Sequence, residues 1–270
     1  MNLNQIGLLQ QMITWYKIRH AGGQAHYYSR TGTLKQRPVK LYWLRSLCFK
    51  RRNPKSRVEK DLNNLLSEIK SCSSTHDQDV KQMDPKTCHS LHSTDATPAS
   101  FYGLPKIHKP GVPLRPITSR INAPTYNVSR HLVSILSPLL EEKYSVTNSV
   151  VFAQHVRDQP IAEHEIMVSF DVVALFTSIP VDLALQIVRE KLQQDITLTE
   201  RTDISVTNFM SLLEFVLKNS FFTYEQEYYQ QTFGCAMGSP VSATIANLVM
   251  EYIEKRAIST AGHPPRWWYR

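Results

Sequence analysis

A chain of 270 residues, 42% of them hydrophobic, can bury one substantial core or two modest ones. Its four cysteines, Cys48, Cys72, Cys88 and Cys235, form no paired framework, no apolar run approaches the roughly 18 residues of a membrane span, and the start at Met1 lacks the charged flank of a leader; an intracellular protein with no membrane partner is expected. The net charge of +8 is uneven: residues 1–60 hold 13 Lys or Arg against the single acid Glu59, leaving the remainder net negative by 4.

Residues 1–55 show no sustained periodicity and form a basic N-terminal extension, ending in the cluster Lys50-Arg51-Arg52. Their charge suits a polyanion or a solvated surface equally, and Trp15, Tyr27, Tyr28 and Trp43 fit ordinary packing better than base stacking. From Ser56, apolar residues at Val58, Leu62, Leu65, Leu66 and Ile69 follow one helical face. Residues 71–97 are rich in Ser, Thr, Asp and His and predict a long loop. Cys72 and His76 with Cys88 and His92 would allow four zinc ligands there, but the spacing matches no strong signature.

The stretch 96–140 holds no acid and carries Lys106, Lys109, Arg115, Arg120 and Arg130, a pattern that favours phosphate. Within it, Pro105, Pro110, Gly111, Pro113 and Pro116 exclude a helix from Phe101 to Ser119 and predict an exposed basic hairpin. Pro124 can open a helix with the face Val128, Leu132, Ile135, Leu136 and Leu139, kinked or ended at Pro138. Alternation of Ile166, Val168 and Phe170 predicts a strand delivering Asp171 at its end. Helices over 182–194 and 206–219, a hairpin over 221–232, and a helix from the pair Ser239-Pro240 to about Ile258 follow. Residues 266–270 open another strand.

Three constellations carry chemistry. Phe170-Asp171 to Phe176 places a carboxylate where a polymerase clamps divalent cations, and magnesium prefers such oxygen ligands. Phe176 could exclude a 2′-hydroxyl by bulk; taken singly, Asp171 equally fits a turn and Phe176 a core. Gly234 to Ser242 puts two glycines before a capped helix, where backbone can approach a nucleotide closely or simply turn. Tyr102 to Pro110, with Leu114-Arg115-Pro116-Ile117, offers a guanidinium fork and a lysine for a triphosphate, or nonspecific phosphate contacts.

Taken in order, the blocks Tyr102–Ser119, Ser169–Pro180 and Gly234–Leu248 resemble the successive finger and palm motifs of Penelope-like retroelement reverse transcriptases, over roughly residues 55–270. The resemblance implies an α+β right-hand polymerase: fingers over 56–165 and a partial palm over 166–270, an antiparallel sheet with packed helices, and no thumb. It implies RNA-directed DNA synthesis with two magnesium ions, an RNA template, a DNA primer, deoxynucleotide triphosphates, and a nuclear target. By residue, it makes Asp171 catalytic and a metal ligand, with the backbone carbonyl of Val172 beside it. Phe176 becomes the sugar gate, Arg115 the triphosphate grip, Lys106 a basic finger position, and Gly238, Ser239 and Pro240 the floor under the nucleotide. The family's next motif, an aromatic-x-Asp-Asp hairpin, does not occur in these 270 residues. The expectation is a domain truncated before that motif and inactive alone. The alternative is a decayed copy acting at most as a nonspecific nucleic-acid-binding module.

Overall fold

The computed structural model describes residues 48–270 apart from 52, 72–82, 93–94, 109–111 and 173. Expectations for residues 1–47, and for Cys72, His76, Lys109 and Pro110, therefore lie outside the described residues. Within them the protein is a mixed α+β body of packed helices and a five-stranded sheet.

The elements in chain order are β1 (Cys48–Arg51), α1 (Lys55–Ser71), α2 (Pro85–Leu91), β2 (Ser100–Pro105), β3 (Leu114–Ser119), α3 (Tyr126–Leu136), α4 (Ser149–Arg157), α5 (Leu175–Ser178), α6 (Val181–Gln194), α7 (Leu198–Arg201), α8 (Val206–Lys218), β4 (Phe221–Tyr224), β5 (Glu227–Gln231) and α9 (Pro240–Thr260). α1 forms where the apolar spacing placed it, with Val58, Leu62, Leu66 and Ile69 buried. α3 ends at Leu136 and passes into a 3-10 turn over Ser137–Leu139, because Pro138 has no N–H to continue the ladder.

α9 is the hub. It is buried on most of its circumference, from Val241 through Ile245, Leu248 and Val249 to Ile253, and packs on α3 and α6, while α8 packs on α6, α3 and α1. Leu62, Leu132, Ile135, Val188, Leu212, Leu213 and Leu248 belong to one core that joins residues on both sides of the 165/166 boundary. Each fully buried side chain of this size contributes roughly 1.5–3 kcal/mol.

The sheet order is β1-β5-β4-β2-β3. The expected antiparallel sheet is instead mixed: β2 and β4 run parallel, meeting at Ser100 and Thr223, and the other neighbours are antiparallel. The two hairpins come from distant parts of the chain, so their mutual direction is set by packing. Phe101 stacks on Phe222 at 5.2 Å and meets Tyr224 edge-on at 5.5 Å, and these rings close a second, smaller apolar cluster with Ala99 and Ala123.

Three expectations are corrected. The loop over 71–97 contains α2, capped by the Asp84 carboxylate accepting from the Thr87 amide, with Pro85 at its first turn. The strand over Ile166–Asp171 does not form: no described strand pairs with it, and Ile166 and Met167 are 63% and 60% exposed. An alternating pattern supplies a face, but a strand also needs a partner for its amides and carbonyls. Residues 266–270 form no strand either. The Arg270 amide donates to the Tyr144 carbonyl at 2.6 Å and the Val146 amide donates to the Arg270 carbonyl at 2.7 Å, while Trp268 stacks on Phe170 at 6.0 Å.

Candidate active site

The hairpin β2–β3 pairs Tyr102 with Ile117 and Leu104 with Arg115. Alternation turns Phe101 and Thr118 inward and leaves Tyr102, Leu104 and Arg115 exposed on the other face. Lys106 is half-buried at the turn, its amide bonded to the Pro113 carbonyl at 2.9 Å. Arg115 thus stands on solvent-facing, extended backbone, able to present its fork to a phosphate.

β3 is fastened to the glycine loop ahead of α9. The Thr118 amide donates to the Met237 carbonyl at 2.6 Å, and Gly238, at φ +113°, lies against the Thr118 carbonyl so closely that a Cβ there would sit 2.3 Å from its oxygen. At its other end the loop is tied to α5. The Cys235 amide donates to the Phe176 carbonyl at 2.7 Å, and a Cβ at Gly234, φ +73°, would come within 2.6 Å of the Thr177 backbone. Both glycines are required, but for contact with the protein's own backbone. The nucleotide approach expected of them is left to the exposed side of Gly238.

The segment leading to α5 is bent sharply by Ala174, which takes a left-handed conformation at φ 54°. A β-carbon tolerates that region only at a cost of roughly 1–2 kcal/mol, so the bend is held by its surroundings. The Ser178 amide and Thr177 hydroxyl both bond the Ala174 carbonyl at 3.1 Å. Asp171 is exposed just before the bend and Val172 is half-buried. Phe176 is half-buried and packs on the edge of the main core, so its ring serves packing as well as any gating.

Ser239 occupies the N-cap of α9 and Pro240 its first turn, yet the Ser239 hydroxyl makes no cap bond. Both Ser239 Oγ and Ser242 Oγ are buried without a hydrogen-bond partner, which corrects the expected capping role. Cys235, inside the loop, is 1% exposed, and burial pushes its thiol up to about 12, leaving it inert as a nucleophile.

The structure therefore joins the three blocks: 114–119 and 174–178 are clipped to the two ends of 234–240. Among the described residues, no three His, Cys, Asp or Glu side chains gather as a metal-binding group. Asp171 and the Val172 carbonyl are oxygen donors of the right kind for magnesium, but they are too few to hold it tightly. Of the suggested zinc ligands, Cys88 Sγ lies 3.7 Å from His92 Nε2, and Cys88 also contacts the Leu66 carbonyl at 3.8 Å.

Sequence reasoning missed a partly buried ionic cluster on the second half of α9. Glu251 and Glu254 of α9 are 7% and 2% exposed. Arg270 approaches them at 3.6 and 3.3 Å, while Lys191 reaches Glu251 at 3.4 Å and Glu141 at 3.0 Å. Its sequence signal was a pair of acids three apart, Glu251 and Glu254, following the apolar run Leu248-Val249-Met250 of α9. Burial, the largest influence, raises the Glu254 carboxyl above its ordinary range against the pull of Arg270.

No family model and no curated protein matches this chain. No helix among the described residues is long and apolar enough to cross a membrane.

Proposed function

We propose that the chain carries the fingers and first part of the palm of an RNA-directed DNA polymerase of the Penelope-like type, acting on an RNA template, a DNA primer and deoxynucleotide triphosphates. The observation that supports this reading best is the joint at Gly238. With the second clip at Gly234 and Cys235, it brings the strand bearing Arg115, the bend after Asp171 and the head of α9 to one loop, although the sequence separates them widely. Arg115 grips the triphosphate, Lys106 adds charge at the hairpin turn, and Gly238, Ser239 and Pro240 form the floor. Phe176 limits the sugar to deoxyribose. Asp171 and the Val172 carbonyl would hold magnesium, which neutralises charge as a phosphoryl group transfers. The remaining acids are not in this sequence, so no step is assigned through the metal.

A labelled RNA–DNA primer–template, followed by fluorescence anisotropy in magnesium, tests the reading. The complementary deoxynucleotide triphosphate should tighten the complex several-fold, and Arg115→Ala should abolish that tightening. Binding that falls with salt and ignores the nucleotide would instead identify a nonspecific nucleic-acid-binding module, a role that the exposed Arg115 of the hairpin can also serve. Primer extension by the 270 residues alone would contradict the expected need for further acids.

A further inference from the structure

The five residues Arg266-Trp267-Trp268-Tyr269-Arg270, all aromatic or cationic, take no part in the nucleotide site described above. They form no strand, yet they lie as a strap against the segment 144–170, tied to it at several points. Arg266 pairs with Glu165 at 2.9 Å, donates to the Pro160 carbonyl at 2.8 Å and lies 4.0 Å over the Trp267 ring. Trp268 stacks on Phe170 at 6.0 Å with the rings 26° apart. Tyr269 meets Phe152 of α4 edge-on at 5.2 Å, and its hydroxyl lies 2.9 Å from His155 Nε2.

Arg270 anchors the strap. Besides the two backbone bonds with Tyr144 and Val146, its Nη1 donates to Asn247 Oδ1 at 2.9 Å, and its guanidinium faces Glu251 at 3.6 Å and Glu254 at 3.3 Å. Arg270 Nε and Glu254 Oε2 make no hydrogen bond, so charge rather than direction holds that pair. With Glu141, Lys191 and Lys255 around them, three acids stand against three bases. Lifting the strap would upset that balance and leave Glu254 buried without the cation that faces it, a costly state.

What the strap holds is the segment that carries Asp171. Residues 166–171 pair with no described strand, so no ladder fixes them. Side-chain contacts take its place: Arg266 holds the segment at Glu165, and Trp268 holds it at Phe170, the neighbour of Asp171. An aromatic pair in offset stacking contributes beyond its buried area.

We infer that residues 266–270 set the place of Asp171, with Trp268 and Arg270 as positioning residues. Trp268 acts through Phe170, and Arg270 acts by clasping the strap to α9. The use made of Asp171 rests on the polymerase reading; the clasp itself does not.

Two measurements keep them apart. In the primer–template anisotropy assay, Trp268→Ala should raise the magnesium concentration at half-maximal nucleotide-dependent tightening roughly two- to tenfold, the span of one lost aromatic pair. Affinity without nucleotide should stay unchanged, and Trp268→Phe, which keeps a ring, should restore the native midpoint. Brief chymotrypsin treatment of the 270-residue protein, with the peptides followed by mass spectrometry, reads the clasp directly. Cleavage after Phe170 should quicken by a similar factor in Trp268→Ala and in Arg270→Gln and stay native in Trp268→Phe, while cleavage after the wholly buried Phe209 stays unchanged. If Arg270→Gln does not fold, the two Trp268 variants decide. A native protein that does not tighten with nucleotide sinks the polymerase reading, and with it the use of Asp171, whereas faster cleavage after Phe170 in the variants still supports the clasp. Cleavage after Phe170 unchanged in Trp268→Ala, or an unchanged magnesium midpoint beside a native protein that responds, would overturn the inference.

Discussion

Gly238→Ala should break the joint between the glycine loop and β3, and its cost can be worked from the structure. The added Cβ would lie 2.3 Å from the Thr118 carbonyl oxygen, whereas ordinary contact begins near 3.4 Å, so loop or strand must retreat by about 1 Å. Such a retreat stretches the 2.6 Å bond from the Thr118 amide to the Met237 carbonyl past hydrogen-bonding range, a loss of about 1 kcal/mol. Holding alanine at φ +113° adds about 1–3 kcal/mol. The sum, about 2–4 kcal/mol, corresponds to a drop in Tm of roughly 4–16 °C at about 2–4 °C per kcal/mol. Guanidinium unfolding followed by tryptophan fluorescence measures it, with Gly262→Ala as control, because nothing lies within 4 Å of a Cβ at Gly262. That control should stay within about 0.5 kcal/mol. A loss at Gly238 below about 1 kcal/mol, or one equal to the control, would refute the joint.

Leu132→Ala, at a wholly buried position of α3, should cost about 2–5 kcal/mol by the same unfolding assay; a loss under about 1 kcal/mol would contradict the packing of α3 on α9. Glu254→Gln should gain stability over the native protein as pH rises from 4.5. The folded-state pKa is raised, so the folded protein binds that proton more readily, and its benefit is lost as pH climbs through the folded value. Melting from pH 4 to 7 checks this, and a difference independent of pH would count against a buried, poorly compensated Glu254. Cys235 should resist iodoacetamide at pH 8 in the native state and react once unfolded; rapid native labelling would show that the loop opens.

Local signals were legible in the sequence and partners were not. The spacing of Val58, Leu62, Leu66 and Ile69 led directly to α1, and the prolines around the basic hairpin to β2 and β3. α2 was hidden by its polar surroundings, though Asp84-Pro85 followed by Thr87 was a readable cap. The alternation of Ile166, Val168 and Phe170 was real, but a strand also depends on a neighbour that local sequence does not supply. β1 lay in a basic stretch without periodicity and is defined by pairing with Tyr228 to Gln231 far along the chain. At the candidate site, Gly234 and Gly238 stood out as glycines, while their reason, contact with Thr177 and Thr118, is a tertiary fact. Arg120 was one basic residue among several, and only burial sets it apart.

The central claim is that three separated blocks build one nucleotide site, and photocrosslinking tests it most directly. An azido-labelled deoxynucleotide triphosphate complementary to the template would be irradiated with the 270-residue protein, primer–template and magnesium, and the modified peptides mapped by mass spectrometry. The account predicts labelling concentrated in Lys106–Ser119, Asp171–Ser178 and Gly234–Pro240, competed by the unlabelled deoxynucleotide far better than by the ribonucleotide. Labels scattered over the exposed basic surface, or competed equally by both sugars, would contradict it.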